Sequence, residues 1–368
     1  MSYPMTNTAE RTYALNHDQA AQFISKVGHA ISVMVRGNMG VGKTSLLDMI
    51  GDLLPKFKLY YADCSTMDIP DVAMYDINNS TESLNFIYND ALGLHEDVPI
   101  VLMLDEFGKA NPSVKLMLLR LVLERKIGNR TLHPDSIVFM TTNLDGEGVG
   151  DLLPAHACNR MTVIELAKPD HMQWIDWGIA NELDPIILGW VKDNPHVMAD
   201  WRDIQNPDDN HYIFHPRAVG RTQFCTPRSL HKASDILKQR AHIDEHTLTS
   251  GLVGCIGASA AMDLMAFVKL ADQLPTYESH MTSPDSATLP TSPSALCMVV
   301  YRALGRIERS EVTAWLKYMA RMPAEAQALF VNGVMAKGYD DKRQKAVTTH
   351  ADFGKWCLDN NHMIAKGE

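Results

Sequence analysis

The sequence predicts an α/β fold with a parallel sheet, followed by a mainly helical region. Three observations predict it. Between residues 30 and 166, apolar strand-like runs alternate with segments of helical period. One run, Pro99-Ile100-Val101-Leu102-Met103-Leu104, is apolar throughout, as a central strand buried on both faces must be. After Pro169 the strand signals fade, which places a domain boundary at residue 168. The domains are then 1–168 and 169–368, within reach of a chain of 368 residues.

Each element follows from its pattern. Residues 1–16 read as a polar arm. Asp18 to Val27 reads as an amphipathic helix, with Ala20, Phe23, Ile24 and Val27 on one face. Ala30 to Val35 is a β-branched strand run, and Ser45 to Ile50 a helix. Phe57 to Ala62 reads as a second strand. Ile69 to Ser83 reads as irregular, with the turn residues Asn78-Asn79-Ser80. Pro112 to Lys126 reads as a helix, with Leu116, Leu119, Leu121 and Leu123 among its apolar positions. Ser136 to Met140 is another strand and Thr162 to Leu166 a fifth. In the second region, Met172–Glu182, Pro227–His242 and Ser310–Met319 read as helices. Gly251 to Val268, rich in Gly and Ala, reads as one tightly packed helix; Asp263 inside it speaks against a membrane span. Pro284 to Pro293 reads as a surface loop.

Composition excludes several classes. The net charge of −10, with no long run of one sign, disfavours a large nucleic-acid-binding face. The six cysteines form no C-x-x-C pair and fit no zinc spacing; scattered single thiols suit a reducing cytosol. The polar start Met1-Ser2-Tyr3-Pro4 reads as no signal peptide, so the expected location is cytoplasmic, without membrane insertion.

The chemistry centres on Gly37-Asn38-Met39-Gly40-Val41-Gly42-Lys43-Thr44, which fits the phosphate-binding pattern G-x-x-x-x-G-K-[ST]. A strand precedes it and the helix opening at Ser45 follows it, the context the pattern needs. Its glycines let backbone N–H groups turn inward around an anion, and the helix N-terminus adds partial positive charge. Lys43 would reach the β- and γ-phosphates and Thr44 would hold Mg2+. The apolar strand ends in Asp105-Glu106: Asp105 would bind the metal and Glu106 would orient and deprotonate water. The next strand ends in Thr141-Thr142-Asn143, whose amide can reach the water or the γ-phosphate, although asparagine there is also a common turn former. Two arginines can supply positive charge: Arg160, in Ala157-Cys158-Asn159-Arg160, and Arg228, in Thr226-Pro227-Arg228-Ser229, with Thr226 as helix N-cap.

In this order the motifs resemble those of the AAA-plus ATPases, and within them the MoxR-like branch. Leu104 to Pro112 resembles that branch's extended second motif, and Thr226 to Leu230 its sensor-two helix. Gly251-Leu252-Val253-Gly254 and the Pro-bearing loop before Ala295 resemble its C-terminal half. The resemblance spans residues 18–320. It implies a three-layer αβα P-loop NTPase core with a helical lid, ATP and Mg2+ as cofactors, and ATP hydrolysis. It assigns residues 37–45 to nucleotide binding, Thr44 and Asp105 to the metal, Asn143 to sensor one and Arg228 to sensor two. Arg160 becomes the preferred arginine finger, reaching a neighbour's site, with Arg120, Arg125 and Arg130 as rivals. The implied assembly is a ring, most often a hexamer, that remodels a protein client, commonly with a von Willebrand factor A domain partner. The alternatives are a nucleotide-gated scaffold and a DNA-directed motor. The chain departs from the branch at Asp71-Val72-Ala73-Met74-Tyr75, where a Gly-Pro segment is expected, which leaves Met74 and Tyr75 as candidates for the pore-facing loop. It departs again at Phe107-Gly108, where glycine would loosen the helix start. Asn143-Leu144-Asp145-Gly146 does not match the guanine signature N-K-x-D of a G domain.

Overall fold

The structure is a computed structural model and describes residues 13–80, 82–144, 147, 159–336 and 338–360. Most of the predicted polar arm and Cys158 lie outside the described residues. The chain divides into two compact units, residues 1–168 and 169–368.

The first unit is a three-layer αβα sandwich. Its five-stranded sheet holds β1 (Val33–Gly37), β2 (Lys58–Asp63), β5 (Ile100–Asp105), β8 (Ile137–Asn143) and β9 (Thr162–Glu165). The order is β2-β5-β8-β1-β9, and every pairing is parallel. Side chains alternate across this sheet, so each strand serves two cores. Val33, Val35, Val101, Met103, Ile137 and Phe139 pack against α1 (His17–Val27) and α2 (Ser45–Leu53). Met34, Leu102, Leu104, Val138 and Met140 pack on the opposite face with Val114, Leu118 and Leu121 of α4 (Pro112–Glu124). That double burial explains why β5 and β8 are buried along their whole length. The α4 face is narrower than predicted: Leu116 is exposed.

One expectation fails between β2 and β5. The segment from Ile69 is not irregular. It forms the short helix α3 (Ile69–Val72) and a hairpin of β3 (Ala73–Asn78) and β4 (Ser83–Tyr88). Of the predicted turn residues, Asn78 closes β3 and Asn79 and Ser80 follow it into the hairpin's loop. Its strands lacked a clear period because Met74, Tyr75, Ile77 and Ile87 are all exposed, so no alternation of apolar and polar marks a buried face. Tyr75 and Phe86, paired across the strands, hold their rings 4.9 Å apart. A second small hairpin, β6 (Lys126–Ile127) and β7 (Arg130–Thr131), follows α4.

The second unit is helical. It runs α5 (His171–Ala180), α6 (Pro185–Asp193), α7 (Pro227–Lys238), α8 (Glu245–Ile256), α9 (Ala258–Asp272), α10 (Tyr277–Thr282), α11 (Pro293–Leu304), α12 (Val312–Met319), α13 (Ala324–Met335), α14 (Asp341–Thr348) and α15 (Ala351–Asp359). One apolar core, with Trp190, Trp315, Tyr301 and Phe330 fully buried, joins them. The single helix predicted for Gly251–Val268 is two helices. Gly257 breaks it at φ 86°, where an added Cβ would come 2.6 Å from the Gln223 carbonyl. Thr226 caps α7 as expected, in a reciprocal pair with Ser229. Among the described residues, no helix is long and apolar enough to cross a membrane.

Candidate active site

The phosphate loop leaves the C-terminal end of β1, next to β8, with β5 one strand further on. Gly37 pairs in register with Asn143 on β8, and Leu104 of β5 pairs with Met140. The next residues, Asp105 and Thr141, therefore lie side by side. Parallel pairing of this kind collects the chemistry of three strands at one edge.

Gly40 and Gly42 adopt φ of 69° and 96°, left-handed backbone that an L side chain resists. An added Cβ at Gly42 would also meet His17 Nε2 at 3.2 Å. Lys43, only 7% exposed, folds back over the loop. Its ammonium donates to Gly37 O at 2.8 Å, Asn38 O at 3.0 Å and Asn143 Oδ1 at 2.8 Å. A phosphate-loop residue and a strand-end residue 100 positions apart are thus joined directly. Ser45 Oγ donates to Gly42 O at 2.7 Å, closing the loop onto α2. Thr44 makes no side-chain cap for that helix. Its hydroxyl donates instead to Asp105 Oδ2 at 3.3 Å.

Asp105 is buried at the end of β5 and accepts from three hydroxyls. Besides Thr44 these are Thr141 on Oδ1 and Tyr61 on Oδ2 at 3.1 Å. Burial, and then the Asp105 charge, push the Tyr61 phenol up to about 12, so it remains a donor at neutral pH. Glu106 takes left-handed backbone at φ 51°, an uncommon cost for a non-glycine residue that concentrates at functional sites. Its amide donates to Thr141 Oγ1 at 3.3 Å, and its carboxylate pairs with Lys109. Phe107, buried, starts a short 3-10 turn to Lys109, so Gly108 loosens no α-helix there.

Four members of this edge received no role from sequence. Thr141 was visible in its motif, but nothing in a sequence says that its hydroxyl faces Asp105. Tyr61 lies inside a strand read only for its apolar run. Glu147 accepts from the Met39 amide at 2.7 Å, which places a carboxylate on the phosphate loop. His17 donates from Nε2 to Val41 O at 3.1 Å, and burial lowers its pKa.

The arginines separate cleanly. Arg125 is spent on backbone: its guanidinium donates to the carbonyls of Val122, Gly28 at 2.8 Å and Ile31 at 3.2 Å. Arg130 donates to Leu94 O at 2.7 Å and pairs with Asp97. Arg120 pairs with Glu124 one helical turn on. Arg160 is exposed, just before β9, and makes no hydrogen bond or ion pair with any described residue. Arg228 lies in the other unit, exposed in the first turn of α7.

No protein-family model matches the chain, and no curated protein matches it in sequence. Solved structures do overlap with it. A point mutant of RuvB from Thermotoga maritima aligns at 13% identity and a TM-score of 0.36, over 75% of this chain and 74% of that one. The RuvB Holliday junction branch migration motor of the same organism aligns at 12% and 0.36, over 72% of each. NtrX from Brucella abortus, in complex with ADP, aligns at 12% and 0.37, over 99% of this chain and 70% of that one.

Proposed function

We propose that the protein is a Mg2+-dependent ATPase of the AAA-plus, MoxR-like type, cytoplasmic and assembled as a ring, that uses hydrolysis to remodel a protein client. One observation carries the catalytic part. Lys43 and Thr44 of the phosphate loop bond directly to Asn143, at the end of the adjacent strand β8, and to Asp105, at the end of β5 one strand further on. A glycine loop, a buried cation, a hydroxyl–carboxylate pair and a further carboxylate at Glu106 are the parts phosphoryl transfer to water needs.

The roles follow from position. The N–H groups of residues 38–45 and the Lys43 ammonium bind phosphate oxygens and neutralise their charge. Asn143 Oδ1 fixes the ammonium. Glu106, released from Lys109, accepts the proton of the attacking water at its carboxylate. The hard oxygens of Thr44 and Asp105, 3.3 Å apart, suit Mg2+, which would supply charge neutralisation at the phosphates. Arg160, exposed and uncommitted, is suited to reach a neighbouring subunit's γ-phosphate, and Arg228 to act from the lid.

Light scattering of Glu106→Gln with ATP tests the ring; a monomer at every ATP concentration overturns it. Arg160→Ala should retain ATP binding and lose on the order of 10³–10⁵ in turnover. Mixing it with Lys43→Ala subunits should restore activity, because intact sites would then be completed across the interface. Affinity capture on ATP-bound Glu106→Gln should recover a protein client; nucleic acid alone would favour a DNA-directed motor. A second reading, the nucleotide-gated scaffold, draws support from the Glu106–Lys109 pair, which occupies the base. It requires that Lys109→Ala leave turnover unchanged and slow.

A further inference from the structure

The helical unit contains a cavity of about 360 Å3. That is the size of a small-molecule site. Its walls are strongly basic. Lys238 ends α7 and Arg240 follows it, Arg302 lies in the last turn of α11 and Arg306 just beyond it, and Arg343 comes from α14. Only two carboxylates, Glu182 and Asp184, line it against these five cations. The excess stands out in a chain whose net charge is −10.

Pairing leaves part of that charge uncompensated. Arg240 holds the buried Asp184 at 2.9 Å and lies 4.0 Å from Asp272, Arg343 holds Glu182 at 2.6 Å, and Lys238 lies 3.7 Å from Asp235. Arg306 reaches Glu278 at 2.8 Å and lies over the Tyr277 ring. Arg302 is different. Its one hydrogen bond runs from Nη1 to Pro275 O at 3.0 Å, and among the described residues it pairs with no carboxylate. Burial lowers its pKa first, Arg240 and Arg306 add to the effect, and Asp184 and Glu278 offset part of it. Arg240, Arg302, Arg306 and Arg343 all line this one space, so an anion in it would meet several guanidinium groups. The adjoining cavity shares Arg306 and Arg343 but carries Glu278, Glu308 and Glu311, so the attraction is confined to the first.

We infer that this cavity binds a small anion bearing two or more phosphate groups, held chiefly by Arg302 with Arg306 and Arg343. Planar guanidinium groups match phosphate oxygens two at a time, and several around one space select for multiple charge. The site lies wholly within residues 182–343 and is independent of the phosphate loop.

Titration calorimetry on the full chain, its phosphate loop saturated with Mg-ADP, tests this with inorganic pyrophosphate as the probe. One saturable pyrophosphate per chain is expected, and the same binding should persist in Lys43→Ala. Arg302→Gln should weaken it about 10-fold or more, and Arg302→Lys less. Arg306→Gln, at an exposed position, tests the site without disturbing the fold if Arg302→Gln melts early. Citrate, titrated in parallel, should bind at least ~10-fold more weakly. No saturable binding, loss of binding in Lys43→Ala, equal binding of citrate, or unchanged affinity in an Arg302→Gln/Arg306→Gln double variant would each overturn the inference.

Discussion

The two units place their polar groups in opposite ways. In the α/β unit the candidate site is a connected network: Lys43, Asn143, Thr44, Asp105, Thr141 and Tyr61 are linked by hydrogen bonds at one sheet edge. Among the described residues, most of the buried polar atoms without a partner lie in the helical unit: Trp174 Nε1, Trp315 Nε1, Tyr301 Oη and both ring nitrogens of His280, against Asn38 Oδ1 in the phosphate loop. Parallel strands in register bring chosen residues of neighbouring strands level, so a dense polar cluster can be satisfied internally. Helices packed through a large apolar core fix their aromatic rings by shape and leave the occasional N–H or O–H unanswered. The comparison teaches that the first unit is built around a reaction geometry, and the second around packing with charge left at its helix ends.

The largest expected effect breaks the network at its hub. Lys43→Ala removes one cation and three hydrogen bonds, including the link between the phosphate loop and Asn143. Phosphate release should fall on the order of 10²–10³-fold or more, the loss seen when a charge-stabilising donor is deleted. The melting transition should move little, because the two apolar cores beside the sheet do not include Lys43. A large loss of stability with activity retained per folded molecule would show that Lys43 holds the fold rather than the phosphate.

How much of this was legible in sequence differs between the units for the same reason. The five parallel strands, the phosphate loop and the Asp105-Glu106 pair could be read because each sits within a continuous apolar run or a fixed local spacing. Tyr61, Glu147 and His17 could not, since their roles depend on contacts 44, 108 and 24 residues away. The β3–β4 hairpin carries apolar side chains on both faces, with Phe86 and Tyr88 packed on the core and Met74, Tyr75, Ile77 and Ile87 exposed, so no period of two marks a buried face. The Gly251–Val268 segment looked continuous because a glycine inside a helical pattern carries no local sign of its backbone angle; only the approach of Gln223 makes Gly257 a break. The basic cavity joins residues from Glu182 to Arg343, a span over which no spacing rule operates.

A medium effect tests the helical side of the comparison. His280 is fully buried, stacks 4.2 Å from Tyr318 and bonds through neither nitrogen. Burial, with Arg302 adding to it, lowers its pKa to about 4. Below the unfolded value of about 6.5 the unfolded chain takes up a proton that the folded chain refuses. Stability from this group is therefore present above pH 6.5 and is lost as pH falls toward 4, by roughly 2 kcal/mol between pH 7 and pH 5. Urea unfolding at those two pH values should show the loss in the native chain and a smaller one in His280→Phe. Equal losses in both would mean that the ring finds a partner when it protonates, and that this unit is less apolar around it than its packing suggests.

The smallest effect asks whether the network on the sheet edge is redundant. Tyr61 Oη is one of three hydroxyls on Asp105, and the one from β2, an edge strand of the sheet. Tyr61→Phe keeps the ring and removes one bond to a carboxylate, so the loss should be about 1 kcal/mol, or a several-fold rise in the Mg2+ concentration that half-saturates nucleotide binding. Thr141→Val should cost more, because it removes the hydroxyl that joins Asp105 to the Glu106 amide and leaves both without it inside the sheet. If the two variants cost the same, the threonine is no keystone, and the carboxylate is held by the number of its donors and not by their burial. If Tyr61→Phe costs nothing while Thr141→Val is severe, β2 contributes only packing, and the reaction geometry narrows to the three central strands that the phosphate loop touches.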